Sequence, residues 1–203
     1  MMTKASELFT EIERVVPAID GWCVAEKACD FAAIILALRP EVSCEIGVWG
    51  GRGTFAMALA HRFIGKGKVI AVDPWKATDS VLGQEGANAA WWSDQPKHDL
   101  VYRRFMANVK AFELEPWIDV RRQRSDEFTL PAAAGLIVTD GNHGEQAIAD
   151  VERLAPIVPT GGIIYLDDLN WSGGHVQGAA ARLLAAGFVE LFKRDQGAFF
   201  QRT

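Results

Sequence analysis

Three groups of residues have the types and spacings to do chemistry. The first is the run Cys44-Glu45-Ile46-Gly47-Val48-Trp49-Gly50-Gly51-Arg52-Gly53-Thr54, whose glycines let the backbone pass close to a ligand. An acid just before Gly47, with no Gly-Lys-Ser/Thr following, suits a cationic amino acid group better than a pyrophosphate. The second is Asp73, where a carboxylate can accept both hydroxyls of a ribose. As an alternative it caps the Asp73-Pro74 turn. The third is Asp140-Gly141-Asn142-His143 together with Asp167-Asp168. Carboxylates brought close repel one another and are driven towards protonation unless a cation lies between them. Hard oxygen donors with room for water suit magnesium. The plainer alternative is that Asp140 and Asp168 cap turns and His143 is a loop histidine.

These groups need a scaffold that brings distant residues together, and the apolar patterning supplies one. Ala25 to Leu38 reads as a helix ended by Arg39-Pro40. Val42 to Val48 reads as a buried strand, Thr54 to Phe63 as a helix and Lys68 to Val72 as a second strand, a βαβ unit with a right-handed crossover. Further strands are expected at Ile118 to Arg122, Gly135 to Thr139 and Gly162 to Leu166. Helices are expected near Val101 to Phe112, Glu145 to Ala155 and Gln177 to Ala186. Phe188 to Lys193 and Ala198 to Gln201 flank the turn-rich Arg194-Asp195-Gln196-Gly197 and read as a hairpin. The expected fold is α/β: a Rossmann-like doubly wound sheet, mostly parallel and closed by an antiparallel C-terminal hairpin strand. Glu45, late in the first strand, and Asp73, Asp140 and Asp167-Asp168, just after later ones, then lie at the sheet edge where such folds bind ligands.

The segments EIGVWGGRGT, AVDPW, TDGNHGEQAIADVERLAPIVPTGGIIYLDD and GWCVAEKACDFAAIILALRP resemble class I S-adenosylmethionine-dependent methyltransferases. Within that class the chain is most similar to the small metal-dependent O-methyltransferases of antibiotic and sugar tailoring and their cephalosporin-hydroxylase-like relatives. The resemblance covers most of the chain and implies a seven-stranded sheet with a reversed last strand. It also implies that Glu45, Gly47 and Gly51 line the methionine and ribose part of S-adenosylmethionine. Asp73 would hold the ribose, and Ser125 and Asp126 would lie near the adenine. Asp140, Asp167 and Asp168 would hold Mg2+, with Asp140 and His143 as catalytic residues. An alcohol must lose its proton to attack a sulfonium methyl; a divalent cation stabilises the developing alkoxide, and histidine can take the proton near neutral pH. Gly53, Asn142 and Gly144 depart from the family pattern, where Ser, Asp and a bulkier residue are common.

With 203 residues, one domain spanning 1–203 is expected, with N-terminal helices in 1–40 and an insertion or lid in 76–112. Residues 76–100 read as polar and irregular, with Trp91 and Trp92 as a lid over the site; Trp22 and Trp75 read equally as pocket wall or core. A net charge of -5 and the lack of a Lys/Arg block argue against nucleic acid. No run approaches a membrane span or a signal peptide, so a cytoplasmic location and a small-molecule substrate are expected. A homo-oligomer is compatible with the sequence. Arg121, Arg122 and Arg124 fit a solvated strand edge. Cys23, Cys29 and Cys44 read as buried thiols, and His61, His98 and His175 as surface or supporting residues. Competing functions are a metal-independent methyltransferase, a hydroxylase-like relative and a non-catalytic nucleoside-binding protein.

Overall fold

Two helices, α1 (Lys4–Val15) and α2 (Ala25–Leu38), precede the first strand in the computed structural model, which describes residues 4–82, 84, 86–94 and 97–203. There follow β1 (Val42–Ile46), α3 (Arg52–Ile64), β2 (Lys68–Val72), α4 (Ala77–Ser80), α5 (Gly86–Asp94), α6 (His98–Ala111) and β3 (Ile118–Arg121). The second half runs β4 (Leu136–Thr139), α7 (Glu145–Leu154), β5 (Ile163–Leu166), α8 (His175–Ala185), β6 (Phe188–Arg194) and β7 (Gly197–Arg202). The seven strands form one sheet in the order β3-β2-β1-β4-β5-β7-β6. The first five are parallel, and β7 runs antiparallel between β5 and β6. The expected Rossmann-like sheet with a reversed C-terminal hairpin strand is therefore observed.

Alternation along the central strands explains why both faces are covered. Val69, Ala71, Leu136, Val138 and Tyr165 join a core with α1, α2, α3 and α6. The residues between them, Ile70, Val72, Ile137, Ile164 and Leu166, point the other way and pack with α7 and α8. Side chains in a strand alternate between faces, so each strand feeds both layers.

Register decides what the sheet presents at its end. Ile46 lies opposite Val72 and Thr139, and Thr139 opposite Leu166. Gly47, Asp73, Asp140 and Asp167 each come one residue later and so leave the sheet at one level. The strand order reverses around β1, and at such a point the crossovers diverge and leave a crevice.

Several expectations change. The stretch 76–100 is not irregular: α4 and α5 occupy most of it, and Trp91 and Trp92 lie on α5. Periodicity did not reveal α5 because none of its residues is fully buried; its alanines favour helix without marking a face. Residues 83, 85, 95 and 96 of the expected lid, and 1–3 of the N-terminal segment, lie outside the described residues. His61 and His98 are not surface residues: both are buried. The His61 ring sits between Ser43 Oγ and the Lys66 carbonyl, each 2.8 Å away, while His98 Nε2 lies 3.1 Å from the Trp92 carbonyl. Cys23 and Cys44 are buried free thiols, but Cys29 is partly exposed. Trp75 belongs to the core, whereas Trp22 is 61% exposed. Arg121, Arg122 and Arg124 pair with Asp119, Asp99 and Asp126. No helix among the described residues is long and apolar enough to cross a membrane.

Candidate active site

The glycine loop between β1 and α3 is held by Asp73. Its Oδ2 accepts from the backbone N–H groups of Val48 (3.0 Å) and Trp49 (2.9 Å), and its Oδ1 from that of Trp75 (2.7 Å). The Trp75 indole N–H donates to the Trp49 carbonyl at 2.8 Å. The loop is thereby shaped before any ligand arrives, at a low ordering cost on binding. Burial pushes the Asp73 carboxyl above its ordinary range even though three backbone donors favour the anion. Gly47 and Gly51 take positive φ values of 85° and 96°, which glycine adopts without a steric penalty.

Glu45 is buried as the penultimate residue of β1 and accepts a hydrogen bond from Thr54 Oγ1. A Cβ at Gly53 would fall onto Glu45 Oε1, so the departure from the serine common here has a local cause. Burial lifts the Glu45 carboxyl from 4.5 to about 8, against the opposing pull of Thr54 and Lys27. Its sign for stability follows. The folded chain binds this proton more tightly than the unfolded chain, so stability falls as pH rises between those values, by roughly 1.4 kcal/mol per pH unit. Glu45→Gln should accordingly unfold at a higher temperature than the unsubstituted chain at pH 9, with the advantage shrinking towards pH 5. A constant difference across that range would remove the assignment.

At the ends of β4 and β5, Asp140, His143 and Asp168 converge, with one ligand atom from each within 4.8 Å of the others. The Asp140 carboxylate accepts no hydrogen bond from any described residue. It keeps a solvent-facing edge, yet surrounding protein and the neighbouring Asp167 push its carboxyl well above the ordinary range. His143 Nε2 lies 3.1 Å from Asp168 Oδ2 but off hydrogen-bond geometry, which leaves a buried ring nitrogen without a hydrogen bond. Trp171 stacks on the His143 ring at 4.6 Å and fixes its plane. Asn142 ties this loop down: its side-chain amide donates to the Leu82 carbonyl, and its Oδ1 accepts from Gly144 N–H at 2.8 Å.

Asp167 does not join the convergence. Its Oδ2 is 2.5 Å from the ammonium of Lys27, and its Oδ1 accepts from the Tyr165 hydroxyl (3.1 Å) and the Asp168 N–H (3.0 Å). Lys27 and Asp167 are only 3% and 6% exposed, so this is a buried ion pair. Burial alone would lower the Lys27 ammonium; Asp167 and Asp140 outweigh it and raise it to about 12.

Lys27, Glu45, Gly47, Asp73, Asp140, His143 and Asp167-Asp168 border one cleft of about 990 Å³, whereas Gly51, expected to line the cofactor, is packed against Phe55 and Phe105 of the core. Ser125 and Asp126 stand at its rim, in a short turn after β3, with Asp126 paired to Arg124. Trp22, Trp49, Trp91 and Trp92 form a mutually packed wall, with ring centroids 5.0–6.1 Å apart.

The sequence model of the family described as a methyltransferase domain matches residues 44–169, more than half of the chain and the part that contains these strand ends. The chain belongs to the methyltransferase-domain family. No curated protein matches this methyltransferase by sequence. Among solved structures it is similar to the O-methyltransferase NovP, with a TM-score of 0.68 and 18% identity over 88% of this chain and 78% of that one. The O-methyltransferase TomG from Streptomyces achromogenes, involved in tomaymycin synthesis and solved with S-adenosylmethionine, gives 0.64 and 12% over 100% and 91%. An O-methyltransferase from Bacillus cereus in complex with S-adenosylhomocysteine gives 0.59 and 16% over 100% and 92%. Identities this low establish a shared fold only.

Sequence reasoning overlooked Lys27, Tyr165 and Trp171. For Lys27 a signal existed: it precedes Phe31 and Ile35 at four-residue spacing on the buried stripe of α2. A lysine on an apolar stripe implies a buried counter-charge.

Proposed function

We propose that this methyltransferase transfers the methyl group of S-adenosylmethionine to a hydroxyl of a small molecule, assisted by a divalent cation such as Mg2+. The observation that carries the reading is the convergence of Asp140, His143 and Asp168 beside the glycine loop. Asp140 is a partly exposed carboxylate facing the other two, and His143 Nε2 is a buried nitrogen without a hydrogen bond among the described residues. Such a donor set fits a cation better than a folding role, since buried polar groups are ordinarily satisfied.

In this reading Glu45 faces the cationic amino acid end of the cofactor, and Gly47 admits it close to the backbone. Asp73 Oδ1 has one donor and keeps a lone pair for a ribose hydroxyl. Ser125 and Asp126 border the adenine end. Asp140 and Asp168, as hard oxygen donors, would hold the cation, with His143 beside them. When bound, the cation lowers the cost of forming an alkoxide at the acceptor. His143 accepts the hydroxyl proton at Nε2, and Asp168 is placed to balance the resulting imidazolium. The acceptor oxygen forms its bond to the methyl carbon as the carbon–sulfur bond breaks, and S-adenosylhomocysteine leaves. Alignment of oxygen, methyl and sulfur supplies much of the acceleration.

The test is chelation. Treatment with EDTA should abolish methyl transfer to a hydroxyl acceptor and leave S-adenosylhomocysteine binding, followed by calorimetry, within about twofold. Added Mg2+ should restore turnover. Undiminished transfer after exhaustive chelation would take the cation out of the mechanism and favour a metal-independent methyltransferase, a reading to which the neutralisation of Asp167 by Lys27 gives some weight.

A further inference from the structure

Lys27 lies in α2, far in sequence from every motif that marks the site, yet its ammonium reaches the acidic centre. The pair it forms with Asp167 at 2.5 Å spans 140 residues of sequence. A second carboxylate, Asp195 in the turn between β6 and β7, lies 3.8 Å from the same nitrogen. Tyr165 adds its hydroxyl to Asp167 Oδ1 and passes its ring below the ammonium, 5.6 Å from centroid to Nζ. Asp167 thus has an ammonium on one oxygen and two donors on the other. Asp140, one strand away, feels the charge of the same ammonium but makes no ion pair with it among the described residues.

An ion pair this deeply buried is a poor stabiliser, because desolvating both charges costs about as much as their attraction returns. Its placement is therefore better explained by what it does to the site. Without Lys27, three carboxylates would face one another across the ends of β4 and β5. With Lys27, one of them is neutralised and held aside, and two remain.

We propose that Lys27 is a resident cation of the acidic centre: a positioning residue that keeps Asp167 out of the metal set and leaves Asp140 and Asp168 to hold a single, exchangeable divalent ion. The proposal rests on the cation-assisted reading above for its ligand, but not for its outcome. Lys27 acts through Asp167 and touches neither acceptor nor methyl. It sets how much negative charge the cleft offers, and hence how tightly a divalent ion is held and how readily the ion exchanges between turnovers. It also joins α2 to β5 and to the β6–β7 turn, so the charge of the centre is coupled to the docking of the N-terminal layer.

The experiment measures free Mn2+ by electron paramagnetic resonance in titrations of the full chain with S-adenosylhomocysteine present. Removing a unit positive charge a few ångströms away and freeing Asp167 should tighten the ion in Lys27→Met by about tenfold or more. Lys27→Arg, which keeps the charge, should stay within about threefold of the unsubstituted chain. Asp168→Asn should weaken the ion by about tenfold or more, and Asp167→Asn, which leaves the Lys27 ammonium uncompensated beside the site, should also weaken it. Should Lys27→Met fail to fold, Lys27→Met/Asp167→Asn removes both members of the pair and should bind Mn2+ as the unsubstituted chain does. The proposal is overturned if Lys27→Met binds no more tightly, or if the double variant loses the ion. Binding by Lys27→Met alone would support the proposal while ending the cation-assisted reading of the native enzyme. Failure of every variant, and of the unsubstituted chain, to bind would end both.

Discussion

His143→Ala is expected to lower kcat for methyl transfer to a hydroxyl by about 100- to 10,000-fold, the range associated with loss of a positioned general base. Its ring is held between Trp171, stacked at 4.6 Å, and Asp168, 3.1 Å from Nε2. A ring so held spends little energy finding the acceptor proton, which is where a positioned base gains over water. The substitution removes only the Asp168 contact and the Trp171 stack, both from loops that follow β4 and β5, so the sheet and the cofactor end of the cleft should survive. Stopped-flow transfer with bound cofactor, combined with calorimetry of S-adenosylhomocysteine, separates the two effects. A loss of kcat with unchanged cofactor affinity supports the role as base. A parallel loss of both would make His143 a structural residue, and an unchanged kcat would leave the proton to another group.

Gly47→Ala should lower both cofactor affinity and kcat and cost at least about 1–3 kcal/mol in stability from its backbone conformation alone. With φ at 85°, residue 47 lies where side chains are strained, and an added Cβ would fall onto the backbone carbonyl of Asp140. That carbonyl cannot withdraw freely. Asp140 N–H donates to the Ile46 carbonyl at 2.8 Å, and Gly47 N–H to that of Val72 at 2.9 Å. The methyl group must therefore push apart the glycine loop and the β4 turn, which carry the cofactor and cation groups respectively. Denaturant unfolding and S-adenosylhomocysteine calorimetry on the variant check both losses. Normal values for both would mean that the turn has slack that the packing does not suggest. Gly65→Ala is the matched control: it shares a positive φ of 65° but has open space around it, so it should carry the strain without the collision.

Glycine at 47 and histidine at 143 were readable because they belong to short local motifs at the ends of apolar runs. The same locality made β1, β2, β4 and β5 readable, and a parallel sheet then required Glu45, Asp73, Asp140 and Asp167 to gather at one edge. By contrast α5 was read as irregular, since a helix with no buried face carries no periodic signature. Asp73 was expected to meet a ribose, and its carboxylate is found bracing Val48, Trp49 and Trp75. These are backbone partners, and side-chain pattern says nothing about them.

By itself, then, the sequence determined the doubly wound sheet, the reversed hairpin and the gathering of acids beside a glycine loop, because each follows from local periodicity and the register of parallel strands. Which acids act together was decided only in three dimensions. Asp167 and Asp168 are neighbours in the chain with almost the same local signal. One is turned onto Lys27 and Tyr165 in the interior, and the other, at a positive φ of 51°, faces His143 across the cleft. Adjacent residues after a strand leave it in different directions, and the partner awaiting each comes from a distant part of the fold.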